Sequence, residues 1–73
     1  MAITIYDDCM TLEINGEVIS QARRWPGGWW EVTCWPRFYD RDQAITALTV
    51  TDLLETGRGA DDPLVAALRE ELR

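Results

Sequence analysis

The residues with the most chemical potential in this chain are aromatic and cationic rather than nucleophilic. "RRWPGGWWEVTCW", residues 23–35, gathers all four tryptophans (Trp25, Trp29, Trp30 and Trp35) within eleven positions, beside Arg23 and Arg24. Indoles of this density serve as core, anchor a protein interface, or stack on unpaired bases while arginines hold phosphates. Conventional catalysis lacks its usual parts. The chain has no histidine, so neither a Ser-His nor a Cys-His nucleophile can be assembled within it. Cys9 and Cys34 are separated by twenty-four residues, which is no zinc-ligand spacing, and they read as reduced thiols acting as small apolar strand residues. Asp7-Asp8 and Asp61-Asp62 read as a turn and a cap rather than metal ligands. A carboxylate pair could catalyse, but no motif points to one. The expectation is a non-enzyme without metal or cofactor.

Thirteen acidic residues face seven basic ones, all arginine, for a net charge of −6. That field repels a phosphate backbone, so nucleic-acid binding would need a local basic patch to overcome it. Arg23, Arg24 and Arg37 with the neighbouring indoles are the only candidates for one. Three cations are few, and Glu31 is expected to pair with Arg23 across the strands. Nucleic acid is therefore the runner-up partner.

With 73 residues, 47% of them hydrophobic and 27% charged, the composition is that of a folded domain, taken as one unit over 1–73. A chain this short buries only ~60–65% of its unfolded surface, so every large apolar side chain matters. No apolar run approaches the ~20 residues that span a bilayer. "MAITIYDDCMTLEING" lacks the basic and apolar regions of a signal peptide. A cytoplasmic protein without membrane contact is expected.

Positioning the tryptophans falls to strands. "ITIY", "CMTLEI", "EVISQARRW" and "WWEVTCW" are β-type runs, punctuated by Asn15-Gly16 and Pro26-Gly27-Gly28. Loops this short make an antiparallel meander. For the first hairpin, a two-residue type I′ turn pairs Ile14 with Glu17 and Leu12 with Ile19. A three-residue loop pairs Glu13 with Glu17 and Leu12 with Val18. The second hairpin suits the three-residue form, with Pro26 starting a type I turn, Gly28 left-handed, and Trp25 facing Trp29. Applied to both hairpins, that form puts Met10, Leu12, Val18, Ser20, Ala22, Trp30, Val32 and Cys34 on one face, interrupted only by Arg24. Thr11, Glu13, Glu17, Ile19, Gln21, Arg23, Trp25, Trp29, Glu31, Thr33 and Trp35 take the other. This cleaner alternation is preferred despite its unfavourable Glu13–Glu17 pair.

Asp40 and Gln43 form a capping box for a helix over about 41–56, with Ala44, Ala47, Leu48, Thr51 and Leu54 on one side and Gly57 as the stop. Strand is the rival reading of "ITALTVT" on β-branched content. Asp62 and Pro63 open a short helix over about 63–72, with Leu64, Leu68 and Leu72 in a stripe and Val65 beside them. The expected fold is α+β: a three-stranded antiparallel meander over about 3–36, four-stranded with a short N-terminal strand, packed by one capped helix plus a short C-terminal helix.

"WWEVTCWPRFYDRDQAITALTV" resembles a pattern in small uncharacterised actinobacterial and actinobacteriophage proteins. There a Trp-rich strand and a Pro-Arg turn precede a helix opening on Arg-Asp/Asn-Gln-Ala-Ile-Thr-Ala. Here that run is Arg41-Asp42-Gln43-Ala44-Ile45-Thr46-Ala47, with Trp30, Val32 and Trp35 upstream. The similarity spans under a third of the chain; it implies an actinobacterial or phage origin, in keeping with the all-arginine basic set, and no activity. The meander followed by helices also looks like the small partner proteins of nonribosomal peptide synthetases, but their Asn-x-Glu-x-Gln-x-Ser-Leu-Trp-Pro signature is absent.

Trp30, Val32 and Cys34 are expected in the core. Ile19, Arg23, Trp25, Trp29, Glu31 and Trp35 are expected on the face opposite the first helix. Either the C-terminal helix or the "ITIY" segment covers them, or they form a surface for another protein or for self-association.

Overall fold

The computed structural model describes residues 3–73. Five strands, β1 Ile3–Ile5, β2 Cys9–Ile14, β3 Glu17–Trp25, β4 Trp29–Val32 and β5 Phe38–Tyr39, precede helices α1 Arg41–Glu55 and α2 Pro63–Glu70. The strands form one antiparallel sheet in sequential order. The fold is α+β, with two strands more than the three main ones expected. One is the short N-terminal strand, and the other, β5, lies in the stretch read as a turn. The fourth strand ends at Val32 rather than running on to Trp35.

The first hairpin corrects the preferred register. Asn15 and Gly16 both take positive φ, 52° and 82°, and Ile14 pairs with Glu17, which is the two-residue I′ turn that Asn-Gly favours. The ladder then shifts between Leu12 and Glu13, so that Glu13 faces Val18, Leu12 faces Ser20, and Ile19 is the extra residue of a β-bulge. Turn chemistry and alternation are thereby both satisfied. The bulge returns Leu12, Ser20 and Ala22 to the buried face, and the like-charged Glu13–Glu17 pairing is avoided. Its cost is Val18, expected inside, which is turned outward and left 55% exposed. The nine-residue β3 also outruns the four-residue β4, whose ladder spans only Ala22–Trp25, with Thr33 adding a backbone bond to Gln21.

α1 lies across β2, β3, β4 and β5 on one face. Met10, Leu12, Ala22, Trp30, Val32 and Tyr39 meet Ala44, Ala47 and Leu48 there in a single buried cluster that Leu72 completes. Alanines at the crossing let the helix approach closely enough for Trp30 to be 97% covered, since it is only 3% exposed. Burying such an indole contributes on the order of 4–6 kcal/mol before entropy. α2 rests chiefly on α1. Val65 is its fully buried residue, Leu68 is half-buried, and Leu64, expected in the stripe, is 46% exposed. Among the described residues no helix covers the opposite face of the sheet, and the Cα envelope of 34 × 30 × 16 Å has the thickness of two layers.

Local chemistry explains why a β-branched segment is helical. The Asp40 carboxylate accepts from the Gln43 N–H at 2.8 Å, and the Asp40 N–H donates to the Gln43 side chain at 3.1 Å. Thr46, Thr49 and Thr51 satisfy their hydroxyls on the carbonyls of Asp42, Ile45 and Ala47 one turn back. The end is a Schellman motif: Arg58 N–H to Leu53 C=O at 3.0 Å, Gly57 N–H to Leu54 C=O at 3.3 Å, and Gly57 at φ 105°. α2 starts on Pro63 with the Asp62 side chain accepting from Leu64 N–H at 2.9 Å.

Asp40→Ala removes the carboxylate half of the capping box, leaving only the bond from the backbone N–H of residue 40 to Gln43, and is expected to cost about 1 kcal/mol, read as a lower urea midpoint at unchanged slope. The Leu64 N–H, with help from Arg58, holds the Asp62 carboxyl below its ordinary value. A lowered folded pKa means stability that is present above about pH 4 and lost as pH falls through the folded value. Asp62→Asn keeps a cap without that titration. Its stability should fall less steeply than wild type over the same acid range, as followed by thermal melts.

Candidate functional site

The second hairpin and the last strand build an aromatic corner on the uncovered face. Trp25 and Trp29 pair across β3 and β4 as expected. Pro26 opens the turn and Gly27 follows at φ 95°, the signature of a type II turn rather than type I, with Gly28 N–H donating to Trp25 C=O at 3.1 Å. Gly28 is also left-handed, at φ 84°. A Cβ on Gly27 would meet the Trp29 ring at 3.5 Å, so the indole leans over the turn.

β5 contributes a ring that sequence reasoning missed. Phe38 faces Glu31 in the ladder while Tyr39 faces Trp30, so alternation sends Tyr39 into the core and Phe38 to the open face. Phe38 meets Trp25 edge-on, with centroids 6.2 Å apart and planes at 90°. The Arg23 guanidinium lies 4.7 Å from the centroid of Trp25. The Trp25 Nε1–H donates a long hydrogen bond, 3.4 Å, to Glu31 Oε1. Arg23 and Glu31 are cross-strand neighbours as expected, yet both turn to the indole and no ion pair joins them among the described residues. The result is a shallow apolar notch lined by Trp25, Pro26, Trp29 and Phe38. Trp25 is 37%, Trp29 56% and Phe38 55% exposed.

Two expected members are elsewhere. Ile19 is the bulge residue, six positions along β3 from Trp25 and therefore about 20 Å away. Trp35 is on the helix side. Cys34 adopts φ 68° and Trp35 N–H donates to Val32 C=O at 3.1 Å, a turn that ends β4 and breaks the alternation on which Trp35 was assigned outward. Its ring packs partly buried against the core, edge-on to Tyr39 at 6.2 Å, with Nε1–H donating to Thr51 Oγ1 at 3.2 Å. The same turn exposes Cys34, expected inside. Arg23, Trp25, Trp29 and Glu31 stay together, and Pro26 and Phe38 join them. Periodicity cannot register a two-residue strand, and only the ladder with Glu31 reveals that Phe38 shares the face.

The three arginines of the nucleic-acid reading do not form a patch. Arg23 is on the open face, Arg24 pairs with Trp30 and so shares the opposite one, and Arg37 lines a groove beside the helices. Asp8 accepts the Arg24 N–H on its carbonyl at 2.9 Å, and Asp62 is the α2 cap. Among the described residues no three His, Cys, Asp or Glu side chains converge as a metal site would require, and no helix is long and apolar enough to cross a membrane. Burial, aided by Asp8, raises the Cys9 thiol above its ordinary pKa, so it carries little thiolate at neutral pH.

The two indole pairs should separate on mutation. Trp30→Ala is expected to cost about 3–5 kcal/mol, a large share of what a domain this small has. Trp29→Ala is expected to stay within about 0.5 kcal/mol of wild type. Urea unfolding followed by circular dichroism distinguishes them; equal losses would mean that Trp29 belongs to the core. No family model, curated protein or solved structure matches this chain.

Proposed function

We propose that the chain is a non-enzymatic, cytoplasmic protein-binding module, an adaptor or inhibitor, which docks a partner on the aromatic corner of its open sheet face. The observation that supports this most is the exposure of three adjoining rings, Trp25, Trp29 and Phe38, on a face that no helix among the described residues covers. Solvating that much indole and phenyl surface is unfavourable, whereas a partner recovers its burial. Tryptophan with neighbouring arginine is also the composition of interface hot spots.

Size refines the reading. From the exposed fractions, and about 150–250 Å² per fully buried ring, the three rings offer roughly 220–370 Å². A stable interface needs about 800 Å² from each partner. The corner is thus the energetic centre of a larger contact or the seat of a short segment, and self-association through these rings alone falls short. Such a contact depends on apolar burial and tolerates salt, unlike one held by phosphates.

Affinity capture with wild type, Trp29→Ala and Phe38→Ala as baits, at about 0.15 M and 0.5 M salt, tests the proposal, with the partner identified and its affinity then measured. Each substitution is expected to weaken binding at least tenfold without unfolding the bait, and high salt to change it little. A partner retained equally by all three baits, or lost steeply with salt, would refute the aromatic anchor.

A further inference from the structure

A second concavity lies on the other side of the molecule, independent of the aromatic corner. It is a groove of about 760 Å³ between the connection from β4 to β5, the C-terminal half of α1, and α2 with the residues that follow it. Trp35 and Leu54 give it most of its apolar wall, with the buried Tyr39 and Leu72 behind them. Arg37, Arg69 and Arg73 line it too, three of the seven arginines in the chain, against Glu55 and Glu70. Arg73 is engaged with Glu70 at 3.3 Å. Arg37 and Arg69 have no carboxylate within ion-pair distance among the described residues. Among the described residues, two unpaired guanidiniums, against the single unpaired carboxylate of Glu55, therefore border an apolar wall on a chain whose net charge is −6.

From this combination we infer that the groove binds a small amphipathic monocarboxylate, its apolar body against Trp35 and Leu54 and its carboxylate on Arg37 and Arg69. The volume falls within the ~300–1,000 Å³ of small-molecule sites. Guanidinium forks match a carboxylate, and contact with an apolar wall strengthens that hydrogen bond by lowering the local dielectric. The acidic field of the whole chain opposes any anion in proportion to its charge, so the inference is confined to a singly charged ligand. The Trp35 indole N–H is already committed to Thr51, which leaves the arginines as the strong donors and directs the anionic end of the ligand to the rim.

Titration of the full chain with 2-naphthylacetate and with decanoate, each beside its neutral alcohol, tests this. Indole N–H resonances in ¹H–¹⁵N spectra provide the readout. Saturable shifts of the Trp35 indole are expected with at least one acid, binding at least tenfold tighter than its alcohol, while the Trp25 and Trp29 indoles stay unmoved. Arg37→Gln combined with Arg69→Gln should erase the preference for acid over alcohol, with circular dichroism unchanged. Should that pair fail to fold, Arg37→Gln alone should reduce the preference. The inference is overturned if neither acid shifts Trp35, if acid and alcohol bind alike, if the preference survives the substitutions, or if the shifts fall on Trp25 and Trp29. The last result would assign the ligand to the aromatic corner and leave the protein-docking proposal to its own test.

Discussion

The seam between α1 and the inner face of the sheet governs the rest of the molecule. Seventy-three residues supply one good apolar interface, and this chain spends it on Trp30, Leu12, Met10, Val32 and Tyr39 against Ala44, Ala47 and Leu48. Among the described residues no further element packs as a third layer on the outer face of the sheet. α2 does not resolve this, because it rests chiefly on α1 instead of crossing to the far side. The open aromatic corner is therefore a result of how the available hydrophobic surface is divided, and its rings are the surplus.

That division runs through the tryptophans themselves. Trp30 is core and Trp35 is half core, whereas Trp25 and Trp29 are surface. The switch for Trp35 is the left-handed Cys34, an L-residue conformation that costs about 1–3 kcal/mol and persists only where the surroundings impose it. Here the packing of Trp35 on Tyr39 and its hydrogen bond to Thr51 offset that cost. A straight continuation of β4 would instead have placed Trp35 on the wet face, about 20 Å along the strand from Trp29, leaving the end of the core thinner.

Signals that are local in sequence were legible in advance. The capping box at Asp40 and Gln43, the left-handed stop at Gly57, Asp62-Pro63, and the facing of Trp25 and Trp29 each depend on a few adjacent residues, and each is present. What could not be read depends on tertiary context. The bulge at Ile19 arises from a conflict between the Asn15-Gly16 turn and the hydrophobic alternation, and either rule alone gives a wrong register. Phe38 and Tyr39 form too short a strand for a period, and Trp35 follows a turn whose key residue is a cysteine, a type that gives no warning of positive φ. The candidate site shows the same pattern. Its hairpin half was readable, its β5 half was not, and Ile19 and Trp35 were assigned to it by an alternation that breaks before reaching either.

The displaced Ile19 also bears on how copies of the chain behave when crowded. Past the end of β4, β3 presents main-chain groups along residues 17–20, flanked by the exposed side chains of Val18 and Ile19, which is a template for recruiting a foreign strand. An unbroken ladder there would invite end-on growth into fibrils. The extra residue kinks that stretch and spoils its spacing, so the irregularity that restores the inner face also works as a guard against cross-β polymerisation.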